Sequence, residues 1–170
     1  GETWIVGEPC IKDLDTQGFE HEIIGDVKGR ELIGKKVHVI GDRDVLCLPA
    51  SFVDPNFGTG IVHSVPSDSA DDLIALWDLQ KNEAVHKEFG LQTEEVQEIT
   101  PIPVLVTPDY GEVPAETFLL DNEVKSQKDK KKLDKIRPEL YKMSFYNSSF
   151  KSSFKWFWFT TFTFICYNFF

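Results

Sequence analysis

Short stretches of alternating or continuous apolar residues recur along much of the chain and predict short β-strands. Residues 19–24 alternate apolar and charged side chains as a half-buried strand does, whereas residues 45–48 are a continuous apolar run that ends at Pro49. The strands predicted in this way are residues 4–6, 19–24, 36–40, 45–48, 61–65 and 101–106. Many short strands of this kind are typical of a sheet or a small barrel.

Helical segments are predicted between and after these strands. Residues 29–34 suggest a single helical turn between two glycines, and residues 70–89 form the longest helix, which ends at Gly90 as its C-cap. A further helix is predicted at residues 129–146, with Ser126 as its N-cap. Strands together with helices predict an α/β fold of the mixed α+β kind, in which a barrel-like sheet carries flanking helices.

Residues 148–170 differ in composition from the rest of the chain. Most of the 14 phenylalanines lie in or next to this stretch, and no Asp or Glu follows Glu139. Residues 157–164 combine aromatic residues with threonine, without charge or proline, a pattern that favours aggregation. Residues 156–170 are too few for a transmembrane helix, which needs about 20 residues. We interpret residues 1–147 as one domain and residues 148–170 as an aberrant tail, produced by a frameshift or by read-through, that packs poorly.

The charge and the reactive residues exclude several classes of protein. A net charge of −10 disfavours a nucleic-acid-binding face, because phosphate neutralisation needs clustered Lys and Arg. The 3 cysteines and 4 histidines have neither paired nor metal-ligand spacing, which indicates reduced cysteines and no metal site. No signal peptide or membrane span is predicted, so the expected location is the cytoplasm. Because Gly1 is not a start methionine, we expect the chain to be part of a longer protein.

The junction between the strand at 61–65 and the longest predicted helix is the main candidate functional site. Asp68, Asp71 and Asp72 crowd this junction, which places several carboxylates in a small volume suited to a cationic group. Two interpretations of Asp72 are open. It caps the helix together with Ser69, as in a capping box, or it binds an ammonium group.

Alternation along the same strand places Ile61, His63 and Val65 on one face. A histidine there is either a structural residue or a general base, which would need a pKa close to the working pH and a water within reach. Gly58-Thr59-Gly60 precedes the strand and no Gly-Lys-Ser/Thr follows it, so a phosphate-binding loop is not predicted. The run at residues 128–132 is interpreted as a solvated, lysine-rich helix face.

Residues 58–63, followed by Pro66 and by Asp71 and Asp72, resemble the editing domain (connective peptide 1) inserted in class I aminoacyl-tRNA synthetases for leucine, isoleucine and valine. The resemblance covers about residues 4–150. The flanking segments similar to the leucyl type of archaea and the eukaryotic cytosol are residues 48–55, 64–69, 75–79 and 125–133.

This resemblance implies a barrel-like insertion that hydrolyses wrongly charged tRNA, with isoleucine, methionine or norvaline on leucine tRNA as the expected targets. A second hydrolytic site is needed because one pocket discriminates a methylene group poorly. By the resemblance, Asp72 anchors the α-amino group of the misplaced amino acid, His63 forms a pocket wall, and Val65 contacts the amino acid side chain. A bound water would cut the ester without a metal.

The resemblance also implies partners, and it leaves alternatives open. The partners would be the 3′ end of mischarged tRNA(Leu) and the remainder of the synthetase. No cofactor belongs to this part, and ATP and Mg²⁺ would serve the separate catalytic domain of the ligase. The family's threonine-rich loop is expected just before Trp4 and is absent from this sequence. Neither a HIGH-type motif nor a KMSKS loop occurs either, so the activity of the isolated chain is left open. The alternatives are an inactive fragment or pseudogene product, an isoleucyl editing domain, and a non-enzymatic binding module on the same fold.

Overall fold

The computed structural model describes residues 1–39, 43–57, 59–150 and 163–166, with the backbone alone for Phe150 and residues 163–166. The chain folds into two compact units. One unit contains residues 1–37, 44–63 and 163–166, and the other contains residues 38–39, 43 and 64–150. The helices are α1 (Ile11–Thr16), α2 (Gly29–Leu32), α3 (Ala70–Gln80), α4 (Glu83–Phe89), α5 (Thr93–Gln97), α6 (Pro114–Asp121) and α7 (Lys130–Asn147). The strands are β1 (Lys36–Val39), β2 (Arg43–Pro49), β3 (Ile61–Ser64), β4 (Leu105–Val106), β5 (Ser149–Phe150) and β6 (Thr163–Cys166).

The main sheet has four strands in the order β1-β2-β6-β3. β2 contains the buried residues Leu46, Cys47 and Leu48, as expected for a continuous apolar run that is covered on both faces. β2 runs parallel to β6, with Cys47 opposite Phe164. The strands of the described residues form open sheets and no closed barrel, while the predicted mixture of helices and strands is confirmed.

The predicted strands are confirmed where a partner strand exists. They correspond to β1, β2, β3 and β4, although β4 is shorter than expected and Ile40 lies outside the described residues. The strands predicted at residues 4–6 and 19–24 are wrong, because both segments lack regular structure. Ile23 and Ile24 remain 68% and 74% exposed. An alternating pattern does not form a strand where no neighbour takes up its backbone N–H and C=O groups.

The longest predicted helix is broken into α3 and α4. Asn82 starts α4 as its N-cap, and its side-chain oxygen accepts the backbone N–H of Val85 at 3.3 Å. This local hydrogen bond competes with the continuation of α3, as Asn side chains often do. Gly90 is the C-cap of α4 in the left-handed conformation (φ 66°), as predicted.

The core of the second unit lies between α3, α6 and α7. The fully buried side chains of Leu73, Ile74, Leu119, Ile136 and Leu140 meet there. α6 was not predicted, although a proline in its first turn is a common helix start.

The start of α7 corrects a second expectation. The N-cap is Asp129 and not Ser126, whose hydroxyl instead donates to Asp78 at 3.1 Å. The predicted helix itself is confirmed at Lys130–Asn147, with Pro138 inside it. α7 therefore supplies one wall of the core and, near its end, one side of the site described below.

The aromatic-rich stretch takes part in both sheets. β5 pairs antiparallel with β4, and β6 lies in the main sheet between β2 and β3. This backbone pairing is contrary to the expected poor packing at these residues, whereas residues 151–162 and 167–170 lie outside the described residues. The division into a domain at 1–147 and an aberrant tail at 148–170 stays a prediction.

Candidate functional site

The turn between β3 and α3 is shaped by Val65 and Ser69. The carbonyl oxygen of Val65 accepts the backbone N–H groups of Asp68 and Ser69, both at 2.9 Å. Ser69 is the N-cap of α3, and its hydroxyl oxygen accepts the backbone N–H of Asp72 at 3.3 Å. The structure thus contains this half of the predicted capping box, which fixes where the helix begins.

The carboxylate of Asp72 connects the first turn of α3 to the end of β3. Its Oδ2 accepts the backbone N–H of Val65 at 2.5 Å, and the hydroxyl groups of Ser64 and Ser69 also hydrogen-bond to it. In a capping box this carboxylate would accept the backbone N–H of the N-cap residue. Here it accepts the N–H of Val65 instead and so connects the helix to the end of the strand. Asp72 is only 7% exposed. Burial raises the pKa of its carboxyl, while these hydrogen bonds act in the opposite direction.

The carboxylate of Asp71 is bound by Arg137 of α7. The guanidinium Nε lies 2.7 Å from Asp71 Oδ2, and Nη2 lies 2.9 Å from Asp71 Oδ1, which is the bidentate geometry of a strong charge-assisted pair. Nη1 of Arg137 also contacts Asp134, at 3.1 Å. Asp71 therefore connects the first turn of α3 to α7, and both of its oxygens are occupied.

Asp68 has one oxygen that no group of the described residues binds. Its Oδ2 accepts the hydroxyl of Ser67, but its Oδ1 is buried without a hydrogen-bond partner among the residues that the structure describes. Burial raises the pKa of the Asp68 carboxyl, and the Ser67 hydrogen bond offsets part of this effect. Of the three carboxylates at this junction, Asp68 is the one with a buried oxygen that has no partner in the described part of the chain.

A cavity of about 340 Å³ opens beside Asp68. Its walls come from the β3–α3 turn, from β4 and from the C-terminal half of α7, and they are largely apolar. The side chains that line it include Asp68, Val65, Leu105, Leu140, Ser144 and Phe145. Ser144 carries a second buried polar atom, its Oγ, that has no hydrogen-bond partner among the described residues.

The predicted site residues are brought together in part. Val65 and Asp72 are joined by the hydrogen bond at the strand end. His63 belongs to the other unit, so its grouping with Asp72 stays a prediction. His63 is exposed in β3, next to the buried Ser64, and the partial burial of the imidazole lowers its pKa. Gly58 of the glycine motif lies outside the described residues.

Two broader features concern metals and membranes. Over the described ranges, no group of three or more His, Cys, Asp or Glu side chains is arranged to hold a metal ion. None of the helices in these ranges has the length and apolar content needed to cross a membrane.

Sequence reasoning missed Arg137 and Ser144. Arg137 is 66 positions away from its partner Asp71, and no local pattern in the lysine-rich helix distinguishes it. Ser144 is not among the site residues predicted from the sequence. Its position one helical turn beyond the core residue Leu140 is the signal that could have placed it at the end of the core.

Known sequences similar to this chain are leucine–tRNA ligases, although no protein-family model matches it. The Pyrococcus abyssi enzyme is 39% identical over 152 residues, which is 88% of this chain and 16% of the relative. The cytoplasmic enzyme of Pongo abelii is 29% identical over 153 residues, which is 86% of this chain and 13% of the relative. The chain thus spans about a sixth or less of the length of these relatives.

Solved structures with the same fold are editing domains of leucyl-tRNA synthetases. The cytosolic P. falciparum domain superposes with a TM-score of 0.75 at 26% identity, over 85% of this chain and 50% of that one. The P. knowlesi domain gives 0.75 at 27% identity, over 85% of this chain and 52% of that one. By sequence and by fold, the chain belongs to the leucyl-tRNA synthetase family, in the region that forms the editing domain of these enzymes.

Proposed function

We propose that this chain contributes the strand–helix junction of a hydrolytic site that removes wrong amino acids from tRNA(Leu). The observation that carries the proposal is the buried Asp72 carboxylate, held by Val65 N–H and two serine hydroxyls at the position where the family resemblance assigns the amino-group anchor. A carboxylate that is fixed in this way has little orientational freedom left to lose when an ammonium group approaches, which favours accurate placement of the substrate.

In this proposal the three predicted residues have different roles. Asp72 anchors the α-amino group, Val65 contacts the side chain of the amino acid, and His63 forms a wall of the pocket. Partial burial lowers the pKa of His63, which favours the neutral imidazole, the form that can accept a hydrogen bond from water. The nucleophile is a bound water, and no residue of this chain forms a covalent intermediate.

The proposal also specifies partners and location. The substrate is the 3′ end of mischarged tRNA(Leu), with isoleucine, methionine or norvaline as the amino acid, and the remainder of the synthetase holds the rest of the tRNA. This division agrees with the acidic character of the chain, whose net charge is −10. ATP and Mg²⁺ serve the catalytic domain. The name of the Pongo abelii relative supports a cytoplasmic location.

A chimera tests this proposal. Residues 1–147 replace the matching segment of the Pyrococcus abyssi enzyme, and deacylation of isoleucyl-tRNA(Leu) is measured by the release of labelled isoleucine. We expect the chimera to deacylate and Asp72→Ala to abolish the reaction, because a misplaced ammonium moves the ester away from its water.

The matched controls separate anchoring from folding. Ser69→Ala removes the helix cap but no charge, and we expect it to keep most of the deacylation. Asp72→Asn keeps an acceptor for Val65 N–H and loses the charge, so we expect it to remain folded and to lose activity. A normal rate for both Asp72 variants would contradict the proposal.

A further inference from the structure

Two residues that line the same cavity each carry a buried polar atom without a partner among the described residues. Asp68 Oδ1 and Ser144 Oγ are the buried side-chain N and O atoms without a hydrogen-bond partner in the part of the chain that the structure describes, and both residues line the cavity of about 340 Å³. Buried polar groups in folded proteins are almost always satisfied, so two exceptions in one cavity indicate that something outside the described residues bonds to them. The size of the cavity is within the range of small-molecule sites.

The charges around the cavity favour a cation. Arg137 also lines it, but its guanidinium is bound by Asp71 and by Asp134. These two carboxylates outweigh the single guanidinium, and the Asp68 carboxylate adds a further negative charge when it is ionised. An anionic ligand would meet this excess of carboxylates, whereas an ammonium group donates hydrogen bonds that both Asp68 Oδ1 and Ser144 Oγ can accept.

The remaining walls favour an apolar body attached to that cation. Val65, Leu105, Leu140 and Phe145 supply aliphatic and aromatic surface. A fully hydrated cation such as a metal ion would gain nothing from these walls. A primary ammonium on an aliphatic chain matches both parts of the cavity, because its charged end pairs with the carboxylate and its chain covers apolar surface.

We infer that the cavity between the β3–α3 turn, β4 and the end of α7 is a binding site for primary alkylammonium compounds. The carboxylate of Asp68 accepts a hydrogen bond from the ammonium group. Ser144 is the second polar contact. Burial raises the pKa of Asp68, and a bound cation would lower it again. The site does not rest on the hydrolytic function, because Asp72 does not line the cavity.

The test is an NMR titration of the full 170-residue chain with 3-methylbutylammonium chloride at constant ionic strength. We expect saturable shifts of the backbone amide signals of Asp68, Ser69 and Ser144. The matched probe is 3-methylbutanol, which has the same apolar body without the charge, and we expect it to bind at least tenfold more weakly. Saturable binding of both probes with equal affinity would overturn the inference, as would the absence of saturable binding by the ammonium probe.

Two variants assign the ammonium contact. Asp68→Asn removes the charge and keeps an oxygen for the Ser67 hydroxyl, and we expect it to weaken binding at least tenfold. Asp121→Asn makes the same change at an exposed carboxylate outside the cavity lining and should change affinity less than twofold. Equal weakening by both would show a general charge effect and refute the site.

Ser144→Ala provides an independent variant in case Asp68→Asn does not fold, which circular dichroism would show. It removes one hydroxyl without changing the charge, and we expect affinity to fall severalfold with the folded signal intact. Unchanged affinity in Ser144→Ala, together with equal binding of the two probes, would refute the inference without any use of Asp68→Asn.

Discussion

Replacement of Asp72 by alanine tests whether this carboxylate builds the junction between β3 and α3. The side chain accepts the backbone N–H of Val65 at 2.5 Å and the hydroxyls of Ser64 and Ser69. Ser64 is itself 1% exposed, so water does not replace the lost acceptor for its hydroxyl. The variant therefore leaves a backbone N–H and a buried hydroxyl unpaired in the same small volume.

The expected loss of stability follows from these contacts. Each buried donor left without an acceptor costs about 1–3 kcal/mol. Part of this cost is offset because the ionised carboxylate is itself disfavoured by burial, as its raised pKa shows. We expect Asp72→Ala to lower the free energy of unfolding by about 3 kcal/mol, a large fraction of the total for a domain of this kind.

Urea unfolding followed by circular dichroism measures this loss. Ser69→Ala is the control, because it removes the helix cap and one of the hydrogen bonds to Asp72 but leaves the carboxylate in place, and it should cost about 1 kcal/mol. The slope of the free energy against urea concentration should stay the same in both variants, since neither changes the compactness of the folded state. A loss for Asp72→Ala no larger than for Ser69→Ala would show that Asp72 is an ordinary cap and would refute this reasoning.

Three further predictions concern the same unit. Arg137→Ala should lower the free energy of unfolding by about 1 kcal/mol, because its bidentate pair with Asp71 is 53% exposed on the arginine side and screened by solvent; an unchanged value in urea unfolding would contradict this. The pKa values of Asp68 and Asp72 are raised above 3.8 in the folded state, so their contribution to stability is full below that pH and is lost as the pH rises through the folded-state values. Thermal unfolding against pH should show this decline, and a decline of equal depth in Asp68→Asn would refute the assignment to Asp68. His86→Ala should cost about 3 kcal/mol, because the imidazole is 0% exposed and bonds to the Leu79 carbonyl at 2.8 Å; a cost below about 1 kcal/mol by urea unfolding would contradict this.

The parts of the fold that were predictable have local causes. The apolar run in β2 and the glycine after α4 each act within a few residues, and both were interpreted correctly. The failures depend on distant partners. Residues 19–24 have the polarity pattern of a strand, but a strand also needs a neighbour, and the sequence gives no sign that one is missing.

The site shows the same division. The cap formed by Ser69 follows from residues three positions apart, so the sequence indicates it. The ion pair of Asp71 is formed with Arg137, which is 66 positions away. The cavity depends on how the end of α7 packs against the β3–α3 turn. Such contacts are set by tertiary packing, which a single sequence does not display.

The three carboxylates of the junction were expected to form one cluster for a cationic group, and the structure separates them. Successive helical residues point about 100° apart, so Asp71 and Asp72 face different neighbours, the first toward Arg137 and the second toward the strand end. Asp68 precedes the helix and keeps an uncommitted oxygen. The two proposals therefore make opposite demands. Asp72→Asn should abolish deacylation and leave alkylammonium binding unchanged. Asp68→Asn should weaken alkylammonium binding and leave deacylation unchanged, so these two variants distinguish the two sites.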